Sequence, residues 1–295
     1  MRSSLILDFD GSATGLAGAR IIALRHREEA IRFACALQQL AALGTALERP
    51  LQDNHGVVLL GSGDFHHVTL PLIARASRDQ PIEVVVLDNH PDNMRWIGGI
   101  HCGSWVRHVA ALPNVTHVHV LGITSADIST RKLWENYLSP LWRGRLTYWS
   151  VGRPSHWLHR LARRSAFKDF ASPDALCTAF ARMQAGGPTP VYFSVDKDVL
   201  RPDVVVCNWD QGQFEERHVE QILEALKGRI VAADITGELS PYEYKVYWKR
   251  WLSARDAQPR VEAATLAHEQ KRHLLVNTRL VAKIHRAMRA TDVPD

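Results

Sequence analysis

The feature that most limits how this chain can fold is an apolar run that ends in alternating ligand-type residues: Val84-Val85-Val86-Leu87-Asp88-Asn89-His90-Pro91-Asp92. A β-branched run without polar interruption reads as a strand buried on both faces, which is the habit of parallel sheets. Asp88, His90 and Asp92 follow at every second position, so an extended backbone would turn all three side chains to one side. The pattern returns in Val191-Tyr192-Phe193-Ser194-Val195-Asp196-Lys197-Asp198, where a second apolar strand ends in two carboxylates. A third run, Val57 to Leu60, enters Gly61-Ser62-Gly63-Asp64-Phe65-His66-His67, a glycine turn that presents histidines just before a helix. Taken singly, each strand-end carboxylate reads as a helix cap or a loop hydrogen bond. Taken together, three buried strands deliver carboxylates and imidazoles to one edge of one sheet, where α/β proteins hold their ligands. Four aspartates in one cleft repel each other unless cations sit between them. Carboxylates with imidazoles suit two divalent ions of the manganese type better than a thiolate-preferring metal.

The rest of the chain fits a sheet covered on both faces. Strands are expected at Leu5 to Phe9, Val57 to Leu60, Ile82 to Leu87, Val115 to Leu121, Val191 to Val195 and Arg229 to Ala233. Helices are expected between them, at Glu28 to Leu43, Val68 to Arg78, Cys102 to Ala111, Pro173 to Gln184 and Glu215 to Lys227. A last helical pattern runs from Val261 to Met288, with room for one break. No repeat or composition shift marks a linker, so one domain spanning residues 1–295 is the simplest organisation. With 46% apolar and 23% charged residues, the chain is an ordinary globular sequence, well outside the disordered class.

The formal charge of +5 is scattered. Its densest stretches, Arg160-Leu161-Ala162-Arg163-Arg164 and the Arg-rich C-terminal segment, read as solvated helix faces, not as a nucleic-acid footprint. Tyr242, Tyr244, Tyr247, Trp248 and Trp251 alternate with Lys245, Lys249 and Arg250, which reads as an amphipathic helix packed beside the site. Cys35, Cys102, Cys177 and Cys207 show no CxxC pairing, which suits reduced thiols. Nowhere do about 18 apolar residues run together, and the N-terminus lacks a signal-peptide pattern. The expected setting is cytoplasmic, without membrane or nucleic-acid partners.

The two strongest motifs resemble those of the ureohydrolase (arginase/agmatinase) superfamily: Asp88 to Asp92 is similar to its DxHxD signature, and Ser194 to Asp198 to its SxDxD signature. Gly61 to His66 is a looser version of its GGDH motif with Phe65 inserted. The resemblance spans roughly Val57 to Pro241 and implies a three-layer α/β/α fold with a mostly parallel central sheet. It implies His66, Asp88, Asp92 and Asp196 on one divalent ion, and Asp88, His90, Asp196 and Asp198 on the other, with Mn2+ the favoured metal. His67 is the rival to His66, because the insertion shifts the register. Gly98 to Gly103 resembles the segment whose histidine, here His101, moves a proton near the leaving group. Ala233 to Pro241 resembles the DxxExxP segment with one extra residue, so Glu238 would hold a guanidinium. Asp198 would also orient the attacking water. The implied activity is hydrolysis of a guanidinium or amidine C–N bond in a small cationic substrate, releasing urea or a related product. Homo-oligomers are common in that family.

Departures fall on the substrate side. Ile97 and Gly99 stand where arginases carry Ser and Asn for the substrate's α-carboxylate, and Val206 to Gln211 does not match the family's PGT-type loop. L-arginine is therefore a poor candidate, and a non-catalytic metal-binding protein of this fold stays open. Histone deacetylase-like enzymes share the fold but use one zinc ion, and the second ligand set argues against them. A separate alternative is a haloacid dehalogenase-type phosphohydrolase, since Leu5-Ile6-Leu7-Asp8-Phe9-Asp10-Gly11-Ser12 resembles that nucleophile motif, with Mg2+ as cofactor.

Overall fold

The structure is a computed structural model that describes residues 3–51, 55–129, 131–153, 164–255 and 261–288. Its strands are β1 (Ser3–Asp8), β2 (Arg20–Ala23), β3 (Ala34–Cys35), β4 (His55–Ser62), β5 (Ile82–Leu87) and β6 (Ile100–His101). They continue with β7 (Val115–Ile123), β8 (Leu146–Val151), β9 (Phe167–Phe170), β10 (Val191–Asp196) and β11 (Ile230–Glu238). Nine of them form one sheet in the order β2-β1-β4-β11-β10-β5-β7-β8-β9. Every pairing in it is parallel.

Alternation along the strands builds two apolar layers. Leu5, Leu7, Val58, Leu60, Val84 and Val86 face one side, against Leu40 and Leu43 of the helix Leu37–Glu48 and Ile73 of the helix Thr69–Ala76. Ile6, Val57, Leu59, Val85 and Leu87 face the other. There they meet Phe180 of the helix Pro173–Gln184, Val219 and Ile222 of the helix Glu216–Ala225, and Leu280 and Ile284 of the helix Ala263–Met288. This is the expected three-layer α/β/α arrangement, and the period-two pattern of each strand is what produces it.

Several boundaries differ from expectation. The helix expected over Glu28 to Leu43 is two helices, Glu28–Ile31 and Leu37–Glu48, separated by β3. Phe33 takes a positive φ of 69° at the break, and β3 pairs antiparallel with β6. Arg32 is fully buried there and bonds Asp64 and Ser240, long-range contacts that outweigh local helix propensity. The C-terminal helix runs unbroken over Ala263–Met288. The strand β2 lies at the sheet edge, mostly exposed, so it lacks the apolar run that betrays the inner strands. Positions 160–163 of the basic stretch lie outside the described residues. No helix among the described residues is long and apolar enough to cross a membrane.

One polar group inside β7 sets a pH limit. His119 is buried beside Trp149, whose Nε1 donates to its Nδ1 at 3.3 Å. Burial, with His117 and Lys168 adding to it, holds His119 well below the usual imidazole range. The unfolded chain takes up a proton at His119 near pH 6.5 that the native state refuses, so stability falls as pH drops below that value. In His119→Asn, denaturant titrations below pH 6.5 should give a shallower loss of unfolding free energy, by up to about 1.4 kcal/mol per pH unit. An unchanged slope would show that His119 does not titrate on unfolding.

Candidate metal centre

In the order β4-β11-β10-β5 the motif strands β10 and β5 are neighbours, and the third, β4, is one strand away across β11. That break in strand order opens a crevice at the strand carboxyl ends. The ligand loops are not extended, as alternation suggested, but turned. Asp88 Oδ1 accepts the His90 N–H at 2.6 Å, and Asp196 Oδ1 accepts the Asp198 N–H at 3.0 Å. In each pair the first aspartate caps the turn that carries the next ligand-type residue. Asp92 has φ 45°, a left-handed conformation that aspartate tolerates better than most residues. A further bond, Asn89 N–H to Asp198 Oδ1 at 3.0 Å, ties the two loops together.

These turns bring six side chains to one point. His66 Nδ1 lies 3.2 Å from Asp88 Oδ2, 3.0 Å from Asp92 Oδ2 and 3.4 Å from Asp196 Oδ2. His90 Nδ1 lies 2.9 Å from Asp198 Oδ2 and 3.6 Å from Asp88 Oδ1. Two groups of potential ligand atoms result, His66 with Asp88 and Asp196, and Asp88 with His90 and Asp198, each within 4.8 Å. Asp88 belongs to both.

Both imidazoles are held from outside at Nε2. His66 Nε2 meets Ser194 Oγ at 3.1 Å, and that hydroxyl donates to Asp234 Oδ1 at 2.6 Å, so His66 donates from Nε2. His90 is gripped by a carboxylate at each ring nitrogen, Asp210 Oδ1 at 2.8 Å from Nε2 and Asp198 Oδ2 at 2.9 Å from Nδ1. Both Nδ1 atoms thereby face the buried carboxylates. Burial opposes a charge on these rings, but the aspartates around them hold both well above the usual imidazole range. His66 Nδ1 and Asp88 Oδ2 are fully buried and lack any partner of hydrogen-bond geometry among the described residues. Such a set of oxygen and imidazole donors fits divalent cations, which would take the place of the ring protons.

Charge crowding points the same way. Burial, reinforced by Asp88, pushes Asp92 up to about 7, and the same two causes push Asp198 up to about 7. Burial followed by the Asp198 charge raises Asp196 as well. Burial also opposes the charge on Asp88, but the His66 and His90 imidazoles facing it hold it below the usual carboxylate range. A divalent ion would compete with protons for these oxygens.

Around them is a cleft of about 330 Å³, with Met94, His101, Trp209, Asp127 and Lys132 on its walls. His101 Nδ1 accepts the Gly103 N–H at 3.0 Å and its ring stacks on Trp96 at 4.8 Å, leaving the proton on Nε2. Burial lowers His101 to about 4, so it stands neutral and not near pH 7 as its proposed role suggested. His67 points away from the cluster and is fully buried, so the register favours His66.

Glu238 is a correction. It does not line the cleft; its Oε1 accepts from Lys197 Nζ at 2.5 Å and from Asn277 Nδ2 at 2.7 Å, and its Oε2 lies 3.2 Å from His273 Nδ1. The residue added to the segment puts Gly237, at φ 89°, against Asp196, where a Cβ would fall 2.4 Å from Oδ1. Asp8 and Asp10 form a strand-end turn: Asp8 pairs with Arg25, and Asp10 accepts from Ser12 and from the Ser62 N–H. Neither belongs to a group of potential ligands among the described residues. Sequence reasoning missed the supporting roles of Asp210, Asp234 and Trp105, whose Nε1 donates to Asp92 Oδ2 at 2.6 Å. Trp105 stands just ahead of the helix Val106–Ala110, where nothing in the sequence distinguishes it from a core residue.

No family model matches the chain. It is 29% identical over 204 residues to an uncharacterized protein of Thermotoga maritima, a match that covers 69% of the chain and 65% of that protein. Among solved structures it resembles the formimidoylglutamase of Bacillus subtilis, with TM-score 0.55, 11% identity, and 96% of this chain and 87% of that one covered. The arginase of Bacillus caldovelox matches with TM-score 0.52 and 15% identity over 99% of this chain and 100% of that one. The chain has the arginase fold. Another protein of this fold, the Trypanosoma cruzi formiminoglutamase with Mn2+, matches with TM-score 0.50 and 12% identity over 85% of this chain and 74% of that one.

Asp210 offers a test of the site. Its side chain is largely exposed and touches His90 from outside the cluster, so its removal leaves the core intact. Asp210→Ala should weaken binding of one of two ions by about ten- to a hundredfold and spare the other. Calorimetric titration with Mn2+ reads both sites, and equal weakening of both would refute an ion at His90 oriented by Asp210.

Proposed function

We propose that the chain is a binuclear-metal hydrolase of the ureohydrolase superfamily, acting on a C–N bond at an amidine-type carbon. His66, Asp88, Asp92 and Asp196 would hold one ion, and Asp88, His90, Asp196 and Asp198 the other, with Mn2+ the favoured metal. The observation that carries this reading is the matched placement of His66 and His90, each held from outside by an oxygen at Nε2 so that Nδ1 faces the carboxylates. When bound, a pair of divalent ions lowers the pKa of water and polarises the carbon under attack.

The chain's own residues do the rest. Asp88 and Asp196 set the spacing of the two positions, and Asp198 accepts a proton or hydrogen bond from the attacking water. His101, neutral with its proton on Nε2, donates a hydrogen bond toward the departing nitrogen. Trp209 and Met94 wall the cleft and limit water.

Substrate class follows from what the cleft lacks. Glu238 is neutralised by Lys197 and sealed from the cleft, so it does not grip a guanidinium. Ile97, at the arginase α-carboxylate position, is fully exposed. These features favour a small amidine or formimino compound over L-arginine.

Purified protein loaded with Mn2+ should carry about two ions per chain and, from some member of a panel of guanidino, amidino and formimino compounds, release an amine together with urea (from a guanidine) or the matching amide (formamide from a formimino compound). Asp88→Ala and Asp196→Ala should lose both ions and all turnover. Two ions with no turnover on any panel member would favour a metal-binding role on this fold, and a metal-free Asp88→Ala that still turned over would sink the proposal.

A further inference from the structure

Away from the metal centre lies a cleft of about 580 Å³, lined by Arg107, Arg143 and Arg145 together with His108, Tyr137 and apolar residues such as Leu112. Among the described residues, no carboxylate lines it. That contrasts with most of the surface, where Arg75 and Arg78 pair with Glu48, Arg201 with Asp203, Arg217 with Asp174 and Arg279 with Glu216.

Two of the three guanidiniums are held in place without being neutralised. Arg107 lies over the Tyr137 ring at 3.9 Å, and its Nε donates to His108 Nε2 at 3.2 Å. Arg145 donates to the backbone carbonyls of Ala110 at 3.2 Å and Leu112 at 2.9 Å. Burial, with Arg107 beside it, lowers His108 to about 4, so its nitrogen accepts the Arg107 bond as a neutral ring. Arg143 is exposed; its backbone N–H donates to Ser139 O, and among the described residues its guanidinium has no hydrogen bond or ion pair. Like charges gathered in a concave site raise the local potential and favour an anion. The planar guanidinium fork matches the oxygens of a phosphate group in particular.

We propose that this cleft binds a phosphate-type oxyanion carried by a small metabolite, with Arg107, Arg143 and Arg145 as its contacts. The apolar floor at Leu112 accommodates the uncharged body of such a molecule. The site is separate from the hydrolytic centre and does not depend on the reaction proposed there.

The test is calorimetric titration of the full, metal-loaded chain with inorganic phosphate and then pyrophosphate, at constant ionic strength. One saturable site per chain is expected. Arg143→Glu should bind about tenfold more weakly or worse. Arg182→Glu makes the same charge change at an exposed arginine outside the cleft and should bind like the unaltered chain. Asp88→Ala should also retain binding, which separates the cleft from phosphate held by ions at the metal centre. Undiminished binding in Arg143→Glu, equal losses in Arg143→Glu and Arg182→Glu, or loss confined to Asp88→Ala would each overturn the assignment. Acetate binding as tightly as phosphate would overturn the phosphate specificity.

Discussion

The rest of this structure depends on the burial of four carboxylates at the ends of neighbouring strands. Two unit charges about 4 Å apart at a protein surface interact by roughly 4 kcal/mol. A whole domain is stable by only about 5–15 kcal/mol. Several such repulsions cannot be absorbed by the fold, so every group around Asp88, Asp92, Asp196 and Asp198 is arranged to answer them. Backbone amides cap Asp88 and Asp196, Trp105 donates to Asp92, and two imidazoles face inward. Divalent cations would complete that balance with chemistry that neither protons nor amides supply.

Much of this was legible in the residues because the inner strands of a parallel sheet advertise themselves. Ile82 to Leu87 and Val191 to Val195 are apolar runs with one polar residue each, Glu83 and Ser194, and the structure begins its strands at the same residues. The edge strand β2 and the break at Phe33 were not legible, because exposed positions and long-range bonds from Arg32 decide them. At the centre, the spacing of Asp88, His90 and Asp92 correctly suggested convergence but for the wrong backbone reason. The aspartates cap turns; they do not alternate along an extended segment. Asp210 and Asp234 escaped notice because their roles lie in which nitrogen of a histidine they hold, a property that no spacing encodes.

The two halves of the cleft are held by different means. Residues at strand ends are constrained by the sheet itself. Residues that would touch a substrate stand on connecting loops, which tolerate insertion and exchange. Glu238, expected as a substrate contact, is a buried partner of Lys197. Low sequence identity, 15% to the Bacillus caldovelox arginase, coexists with full-length fold coverage for the same reason.

That cluster has a consequence for the order of assembly. Lys197 sits between Asp196 and Asp198, and its ammonium is held by Glu238 together with His273 and Asn277 of the helix Ala263–Met288. These partners are about 40 to 80 positions away in the chain. During synthesis, all six inward-facing side chains leave the ribosome before the groups that close over Lys197. Until then a nascent chain carries the acidic loops with an unanchored ammonium between two of them. Docking of the C-terminal helix is thus what anchors the ammonium between the two acidic residues.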